Sequence, residues 1–453
     1  MNAPTHPKTS LLAETIERHK AGERVGVYSV CSAHPTVVQA ALEQAAADGG
    51  YVLIEATSNQ VDQFGGYTGL RPADFRELVF DVADRAGFPR NRVVLGGDHL
   101  GPNRWQRQSA SAAMENAEVL IEAYVAAGYT KIHLDCSMSC ADDPDVLSDE
   151  VVASRAARLL RIAEDAARRV GADEPVYVIG TEVPVPGGAH ETLGRLTPTP
   201  ADRARRTIEV HRAAFADAGL DHVWPRVVAL VVQPGVEFDH LNVIDYEHAA
   251  TADLRHVLDD EEHLVFEAHS TDYQRPAQLR QLVEDNWAIL KVGPALTFAM
   301  REALFALALI ERELLPRTSR SNLIEVIERR MLAEPDQWQG YYEGLGERSD
   351  GKGVRPLAQR TSRRYSYSDR LRYYWADPEV DAARRQLLAN LDRTGIPLPL
   401  ISQFLPIQYD RIRTGELRSI AQDLVIDRIR DAMRPYARAC RKPDDHPHGV
   451  AHV

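Results

Sequence analysis

The sequence predicts an α/β protein whose main part is a closed (β/α)8 barrel, a TIM barrel, followed by a C-terminal α-helical appendage. Eight short runs rich in Val, Ile and Leu occur in the first two thirds of the chain, and segments with helical spacing of apolar residues separate them. This alternation indicates βαβ units with parallel strands. Eight such units favour a barrel over an open sheet. A doubly wound sheet is the competing fold, but Ser29–Pro35, after the first strand, lacks the glycine fingerprint that it requires.

The apolar pattern places the elements in order along the chain. Strands are expected over residues 24–30, 51–56, 92–97, 131–135, 175–181, 226–232, 263–268 and 288–292. The clearest helical patterns cover residues 72–86, 108–127, 149–170, 200–218 and 295–314. Pro35, Pro72 and Pro294 stand where a first-turn proline is tolerated, and Gly128 and Gly219 mark helix ends.

The same pattern divides the chain into four predicted segments. They are an N-terminal extension (1–20), the barrel (21–316), a helical appendage packed on the barrel (317–440) and a disordered tail (441–453). The strand–helix alternation stops after residue 316, whereas helical spacing continues. Residues 343–363 are rich in Gly and Arg and are expected to form a loop.

Composition limits the class of function. The 453 residues carry a net charge of −13, from 53 basic and 66 acidic side chains, which argues against nucleic acid as a partner. Neither a signal peptide nor an apolar segment long enough to span a membrane is evident, so no membrane association is expected. Four cysteines without a CxxC motif favour the reducing cytoplasm. We expect a cytoplasmic homo-oligomer that acts on a small molecule.

Polar side chains follow most of the predicted strands, and the carboxyl ends of barrel strands converge on one mouth. The third strand ends in Asp98 and His99, a pair that can move a proton with its carboxylate and hold a divalent metal with its imidazole. Donors after other strands complete a predicted metal and acid–base site: His269, Gln233, Asp135 and Glu182. His133 falls within the fourth strand and is interpreted as a packing residue.

Further polar residues near the strand ends, and one from the appendage, are candidate substrate-binding groups: Ser32, His34, Glu55, Asn59, Ser137, Ser270, Thr271, Lys291 and Arg370. A barrel lysine raises the alternative of a Schiff base, which we rank below a structural or substrate-orienting role for Lys291. Ser270, Thr271 and the helix start at Gly293 are a candidate phosphate cradle. Arg370 and Arg372 would add positive charge from the appendage.

Long motifs in these segments resemble one family throughout the chain. The sequence is identified as a member of the tagatose-bisphosphate aldolase subunit family GatZ/KbaZ, over about residues 12–440. The matching stretches are Ser29–Pro35, Ile54–Gly69, Leu95–Asn103, Lys131–Ala141, Val178–Gly188, Val231–His240, Glu267–Gln274, Leu290–Thr297 and Tyr365–Trp375.

The resemblance extends to the class II, zinc-dependent ketose-bisphosphate aldolases and implies roles for the residues at the mouth. It makes Asp98 a catalytic acid/base and His99 and His269 zinc ligands. Gln233 stands where those aldolases have a further histidine, which is a departure from their pattern. Glu182 would be a ligand or a proton carrier, and Asp135 a second catalytic carboxylate. Zinc is the expected cofactor, with Mn, Co, Ni or Mg as alternatives, and no nicotinamide site is visible.

Members of the family are called non-catalytic subunits, and the family is also associated with 4-epimerisation of ketoses. The resemblance therefore implies a metal-dependent 4-epimerase that interconverts tagatose and fructose, or their 6-phosphates, by retro-aldol and aldol chemistry. The alternative is a stabilising subunit of a separate class II tagatose-1,6-bisphosphate aldolase. A self-sufficient aldolase is a third reading, which Gln233 disfavours.

Overall fold

The strands of the barrel follow one another in chain order around a closed sheet. The computed structural model of the chain describes residues 10–180, 196–342 and 356–442. Strands β1–β8 are Val27–Val30, Val52–Thr57, Val93–Leu100, Lys131–Leu134, Val176–Gly180, Val227–Val231, Val265–Ala268 and Trp287–Val292. Each is parallel to the next, and β8 closes the barrel against β1. The predicted (β/α)8 fold is confirmed, and the strand limits differ from the predicted ones by at most three residues.

Helices connect the strands and cover the outside of the barrel. Helices α1–α8 are Leu11–Arg18, Pro35–Asp48, Pro72–Ala86, Ala110–Ala126, Asp149–Val170, Ala201–Asp217, Pro276–Glu284 and Pro294–Leu314. Pro35, Pro72 and Pro294 occupy the first helical turn as predicted, because proline needs no hydrogen-bond acceptor there. Among the described residues, no helix combines the length and the apolar character needed to cross a membrane.

The amino-terminal end of the barrel is closed by α1. Leu12 and Ile16 of this helix are buried against the first inward-facing residues of the strands, including Val27, Leu53 and Val94. This apolar plug excludes water from one end of the barrel. Any polar chemistry is therefore confined to the opposite, carboxyl end.

The chain after the barrel is helical. Helices α9–α15 are Leu323–Ala333, Gln339–Tyr342, Pro356–Tyr365, Pro378–Thr394, Leu398–Phe404, Pro406–Thr414 and Ala421–Ala439. Helix α15 packs against α8, α2 and α7, where the last and first units of the barrel meet. Its Tyr436 hydroxyl donates to the main-chain oxygen of Thr271 at 2.5 Å. A 3-10 turn, Arg370–Tyr374, packs on α8 and α9 and reaches the carboxyl end of the barrel.

One predicted loop is partly wrong. Residues 356–363, expected to belong to the loop, lie in helix α11, because the glycines of this region end at Gly353. The helix is held by ion pairs from Arg363 and Arg364 to Glu328 on α9. Residues 343–355 of that loop, and the predicted tail from residue 443, lie outside the described residues.

Candidate functional site

Four polar side chains meet at the carboxyl end of the barrel. Asp98 and His99 lie in β3, His133 lies in β4, and His269 follows β7. All four are buried, and one metal-binding atom from each lies within 4.8 Å of the others. The sequence predicted that Asp98, His99 and His269 would converge, whereas it missed His133. We call these four residues the Asp/His cluster.

A bulge in the barrel sheet creates this cluster. Gly97 pairs with Ile132 and Leu100 pairs with Leu134, so that Asp98 and His99 of β3 together face the single residue His133 of β4. His99 adopts a left-handed backbone with φ of 49°, which few non-glycine residues adopt. The bulge thus directs two consecutive side chains of one strand towards the same site.

His99 is oriented by a carboxylate. Its Nδ1 donates to Oδ2 of Asp135 at 2.7 Å, and Asn103 donates to the same oxygen at 3.1 Å. The Ser137 hydroxyl donates to Oδ1 of Asp135 at 2.7 Å. Burial acts to raise the pKa of Asp135, but the hydrogen bond from His99, together with the contributions of His133 and Ser137, holds that pKa below its usual range. The structure thus gives Asp135 an orienting contact with His99, and Ser137 a contact with Asp135.

His133 is fixed as a tautomer by two main-chain groups. Its Nε2 donates to the carbonyl oxygen of Gly180 at 2.9 Å, and its Nδ1 accepts the main-chain N–H of His99 at 3.2 Å. The same Nδ1 lies 3.1 Å from Oδ1 of Asp98. His133 is fully buried and hydrogen bonded, in agreement with its interpretation as a packing residue, and its Nδ1 also lies in the Asp/His cluster.

His269 completes the set of imidazoles. Its Nε2 donates to Oε1 of Glu267 at 2.9 Å, so the neutral ring carries its lone pair on Nδ1. Burial, and then the positive charge of Lys291, lower the pKa of His269 to about 3. The ring is therefore neutral at physiological pH, which is the state that binds metals.

The donor set fits a divalent metal. Each histidine of the cluster donates one ring N–H outward, to Asp135, the carbonyl of Gly180 or Glu267. The other ring nitrogen faces the cluster, and in His133 it also accepts the main-chain N–H of His99. Such outward hydrogen bonds are typical of metal-binding histidines. Imidazole nitrogens, with the carboxylate of Asp98 close by, suit a borderline ion such as Zn²⁺.

A network of buried charges lies next to the cluster. Lys131 contacts Glu55 and Glu267 at 2.7 Å each, and all three side chains are fully buried. Lys291 forms an ion pair with Asp98 and lies 3.4 Å from Glu55 and 3.6 Å from Glu267. Burial acts to lower the pKa of Lys291, but Asp98 and the other acidic groups around it together raise that pKa well above its ordinary value. A protonated amine cannot attack a ketone, so this geometry favours ion pairing over a Schiff base.

Two glycines make room for this arrangement. A Cβ at Gly96 would lie 2.6 Å from the Glu55 side chain, so only glycine lets that carboxylate lie against β3. A Cβ at Gly101 would lie 1.7 Å from the main-chain oxygen of Asp135, which no side chain tolerates. Gly96 and Gly101 are therefore required because neighbouring atoms leave no room for a side chain at these positions.

A cavity of about 1270 Å³ opens above the cluster, and several of the predicted site residues line it. Its walls include five of the predicted substrate-binding residues: Ser32, His34, Asn59, Ser270 and Lys291. Asp98, His99 and His269 line it as well. Four predicted residues are not among its described walls: Glu55, Ser137, Thr271 and Arg370. Glu55 instead contacts Lys291, which pairs with Asp98, and Ser137 donates to Asp135, which holds His99.

Two predicted metal ligands, Gln233 and Glu182, are not part of the Asp/His cluster. The side-chain oxygen of Gln233 accepts the main-chain N–H groups of Gly235 and Val236 at 2.7 and 2.9 Å. This oxygen closes the turn after β6, and a metal-ligand role for Gln233 stays a prediction. Glu182 lies outside the described residues.

The predicted phosphate cradle is closed by its own hydrogen bonds. The main-chain amides of Gly293 and Ala295 donate to Oδ1 of Asp272 at 3.0 and 2.8 Å, so a carboxylate of the chain occupies the start of α8. The Thr271 hydroxyl donates to the main-chain oxygen of Lys291, and the Ser270 hydroxyl donates to Glu237. These donors are already engaged, so an anion in this cavity is better bound by cationic side chains elsewhere on its walls.

The structure separates the two arginines of the appendage. Arg370 donates to the main-chain oxygen of Gln337 and stacks on Tyr341, with its guanidinium carbon 3.6 Å from the ring centre. Arg372, two residues later, lines the cavity together with Tyr373. The sequence pointed to this segment, but its pattern could not show which arginine would face the barrel.

Fold and site together define a (β/α)8 barrel protein with a buried cluster of one aspartate and three histidines at its carboxyl end. The chain belongs to the family described as D-tagatose-1,6-bisphosphate aldolase subunit GatZ/KbaZ-like, whose model matches residues 12–441. The family predicted from the sequence motifs is confirmed. The protein is therefore related to tagatose-bisphosphate aldolases.

A solved structure agrees over nearly the whole chain. A probable tagatose 6 phosphate kinase from Sinorhizobium meliloti 1021 is 47% identical, with a TM-score of 0.83 over 92% of this chain and 100% of the other. The YdjI aldolase from Escherichia coli K12 and the fructose-bisphosphate aldolase from Campylobacter jejuni are each 12% identical over 84% of this chain. The TM-scores are 0.40 and 0.44, and the matched regions cover 95% and 91% of those two chains, respectively.

Proposed function

We propose that the protein is a metal-dependent 4-epimerase that interconverts tagatose and fructose, or their 6-phosphates. The observation that carries the proposal is the Asp/His cluster, in which three outward-bonded imidazoles and a carboxylate converge beneath a large cavity. A protein that only stabilises a partner does not need ligands oriented in this way. Zinc is the ion that we propose, with manganese, cobalt, nickel and magnesium as alternatives.

The chemistry of a ketose explains why such a site suits epimerisation at C4. The hydrogen on C4 is not adjacent to the C2 carbonyl, so its direct removal is difficult. Removal of the C4 hydroxyl proton instead allows the C3–C4 bond to break, which leaves an aldehyde and an enediolate. Rotation of the aldehyde before the bond re-forms inverts C4. A bound divalent ion supplies Lewis acidity that stabilises negative charge on the sugar oxygens.

Asp98 is the group that we assign to the C4 hydroxyl proton. It lies at the cavity wall, and its oxygens approach Lys291 and His133. Burial acts to raise its pKa, but His99 and Lys291 outweigh it, so the pKa lies well below its ordinary value. The carboxylate is therefore ionised at neutral pH and able to accept a proton as the C3–C4 bond breaks.

Lys291 and the orienting carboxylates complete the proposed machinery. The Lys291 ammonium lines the cavity beside Asp98 and can donate a hydrogen bond to a sugar oxygen. Asp135 holds His99, and Glu267 holds His269, in the tautomers that ligate a metal. Glu182 remains the candidate for a second proton carrier.

The direct test is turnover by the purified protein. The metal-free protein is loaded with one ion at a time, from the five named above, and incubated with tagatose 6-phosphate or tagatose. We expect the fructose epimer to form, activity to be lost with a chelator, and activity to return with the metal. Absence of turnover with every ion and both sugars contradicts the proposal.

The second candidate function is a stabilising subunit of a class II tagatose-1,6-bisphosphate aldolase. The family description as an aldolase subunit favours it. Co-purification with such an aldolase, together with faster loss of aldolase activity when this chain is absent, supports this function. Epimerase activity of the isolated chain shows that the chain is catalytic without a partner.

Other aspects of the function remain proposals of the same kind. All four cysteines are free thiols, which agrees with the cytoplasmic location that we propose. A homo-oligomer is also proposed, and light scattering of the purified protein tests it.

A further inference from the structure

Five arginines line the cavity, and most of them already have acidic partners. Arg384 and Arg385 form ion pairs with Asp381 at 2.7 and 3.1 Å. Arg104 pairs with Asp62 at 3.4 Å. Each of these three side chains has a carboxylate in contact, although Arg384 and Arg385 share that of Asp381.

Two arginines of the cavity, Arg107 and Arg372, differ from these. Within residues 10–180, 196–342 and 356–442, no carboxylate oxygen lies within 4.0 Å of either guanidinium group. Arg107 is exposed, so water and salt screen its charge. Arg372 is partly buried, and a charge that is partly removed from water acts more strongly on a ligand.

Neutral groups hold Arg372 in place. Its Nη1 donates to the main-chain oxygens of Ser368 and Asp369, and its Nη2 donates to the Tyr373 hydroxyl at 3.0 Å. These acceptors fix the guanidinium without neutralising it. The side chain is thus positioned in advance, although its charge lacks a direct counter-ion in the described structure.

Tyr373 adds a hydroxyl donor at the same wall. Its oxygen accepts hydrogen bonds from Arg372 and, at 3.4 Å, from Nη1 of Arg370. Its own proton has no acceptor among the described residues, and the side chain lines the cavity. Burial raises the pKa of Tyr373, but Arg372 and Arg370 outweigh it and lower the pKa. The phenol is therefore a strengthened hydrogen-bond donor.

Two acidic groups that interact with Arg372 are bound to other partners. Asp272 accepts main-chain amides at the start of α8, and Asp369 accepts the Thr297 hydroxyl at 2.5 Å. Both carboxylates interact with Arg372 through space, but neither forms an ion pair with it. The wall at Arg372 and Tyr373 therefore offers donors and lacks an acidic acceptor in contact.

We propose that Arg372 and Tyr373 form the subsite for a phosphoryl group of the substrate, so that the sugar is a ketose phosphate rather than a free ketose. This inference rests on the proposed function, whose reacting atoms lie at the Asp/His cluster. The cluster belongs to the barrel strands, whereas Arg372 belongs to the appendage. A guanidinium and a phenol that offer only donors match phosphate oxygens, and a neutral hydroxyl gains much less from them.

The test compares phosphorylated and free sugars in matched variants of the full chain. Arg372→Met removes the charge and Tyr373→Phe removes the hydroxyl. Arg385→Met is the control, because Arg385 lines the same cavity but is exposed to solvent and contacts the carboxylate of Asp381. We expect Arg372→Met to weaken binding of fructose 6-phosphate by about 10- to 100-fold in calorimetry, and Tyr373→Phe by up to about tenfold. The Arg385→Met control should change it little.

Turnover supplies the second measurement. In Arg372→Met, KM for tagatose 6-phosphate should rise by a similar factor, whereas kcat/KM for tagatose should stay unchanged. Equal losses for the two sugars overturn the subsite, because Arg372 would then support the whole cavity. Unchanged binding of fructose 6-phosphate in Arg372→Met also overturns it. Selective phosphate binding without any turnover supports the subsite and contradicts the epimerase.

Discussion

The Asp/His cluster and the Arg372–Tyr373 wall differ in how charge is handled. Around the cluster, Lys131 and Lys291 contact the carboxylates of Glu55, Glu267 and Asp98. At the wall, Arg372 is held by main-chain oxygens and a phenol. The first region pairs its charges internally, which suits a site that orients metal ligands. The second keeps a charge available for a ligand.

This difference assigns separate tasks to separate parts of the chain. In our proposal, strands of the barrel supply the groups that handle protons and a metal, and the appendage supplies the groups that select the substrate. Substitutions near the cluster should therefore change chemistry, metal affinity or stability. Substitutions at the wall should change the preference among sugars and leave the chemistry of bound sugar intact.

The largest effect is expected from Asp98→Asn. The amide is nearly isosteric but cannot accept the C4 hydroxyl proton, so kcat should fall by about 10³-fold while the histidines keep the metal. Kinetics and metal analysis of the same sample check both parts. Full activity removes Asp98 from its role, and loss of the metal makes it a ligand instead.

Lys131→Met tests how strongly the interior network depends on its buried cation. Glu55 and Glu267 would lose their shared partner at 2.7 Å, and we expect about 3–5 kcal/mol less stability in chemical denaturation. The matched control is Arg206→Met, which breaks the exposed pair with Glu150 and should have no measurable effect. Equal stability of the two variants contradicts the account of the network.

Asp135→Asn should have a smaller effect than loss of a metal ligand. The amide cannot hold His99 as a carboxylate does, so metal affinity should fall by about 10- to 100-fold. Competition with a chelator of known affinity measures the change. An unchanged affinity shows that Asp135 does not act through His99.

Glu237 should produce the smallest effect, a dependence of stability on pH. Burial raises its pKa to about 7, and its Oε2 accepts the Ser270 hydroxyl at 3.2 Å. An acid with a raised pKa binds more protons in the folded state, so its favourable contribution is present below the unfolded pKa near 4.5. That contribution is lost as pH rises through about 7. Between pH 4.5 and 7, the free energy of unfolding of Glu237→Gln should change by about 1–3 kcal/mol less than that of the wild-type protein, as measured by chemical denaturation. An identical pH dependence in the two proteins excludes Glu237 as its source.

The predicted part of the site followed from strand order alone. Apolar runs located β3 and β7, and the convergence of strand ends then brought Asp98, His99 and His269 together. His133 escaped this reasoning because it lies between two apolar residues, Ile132 and Leu134, in the interior of a strand. Only the bulge that places it opposite Asp98 and His99 reveals its role, and sequence periodicity does not show a bulge.

The remaining differences depend on contacts between distant segments. The choice between Arg370 and Arg372 depends on how the appendage docks, since Arg370 is taken up by Gln337 and Tyr341. The phosphate cradle looked open in the sequence because Asp272, which closes it, is 21 and 23 residues from the amides that it accepts. Patterns of neighbouring residues carry little information about such partners.

Cobalt binding tests the central claim, that the Asp/His cluster is a metal site, most directly. We expect the wild-type protein to bind a single Co²⁺ per chain, with visible absorption bands of a nitrogen-rich site. His133→Ala should weaken binding and alter those bands, whereas His211→Ala, at a buried histidine of α6 outside the cluster, should do neither. Unchanged cobalt affinity and spectrum in His133→Ala would contradict the claim.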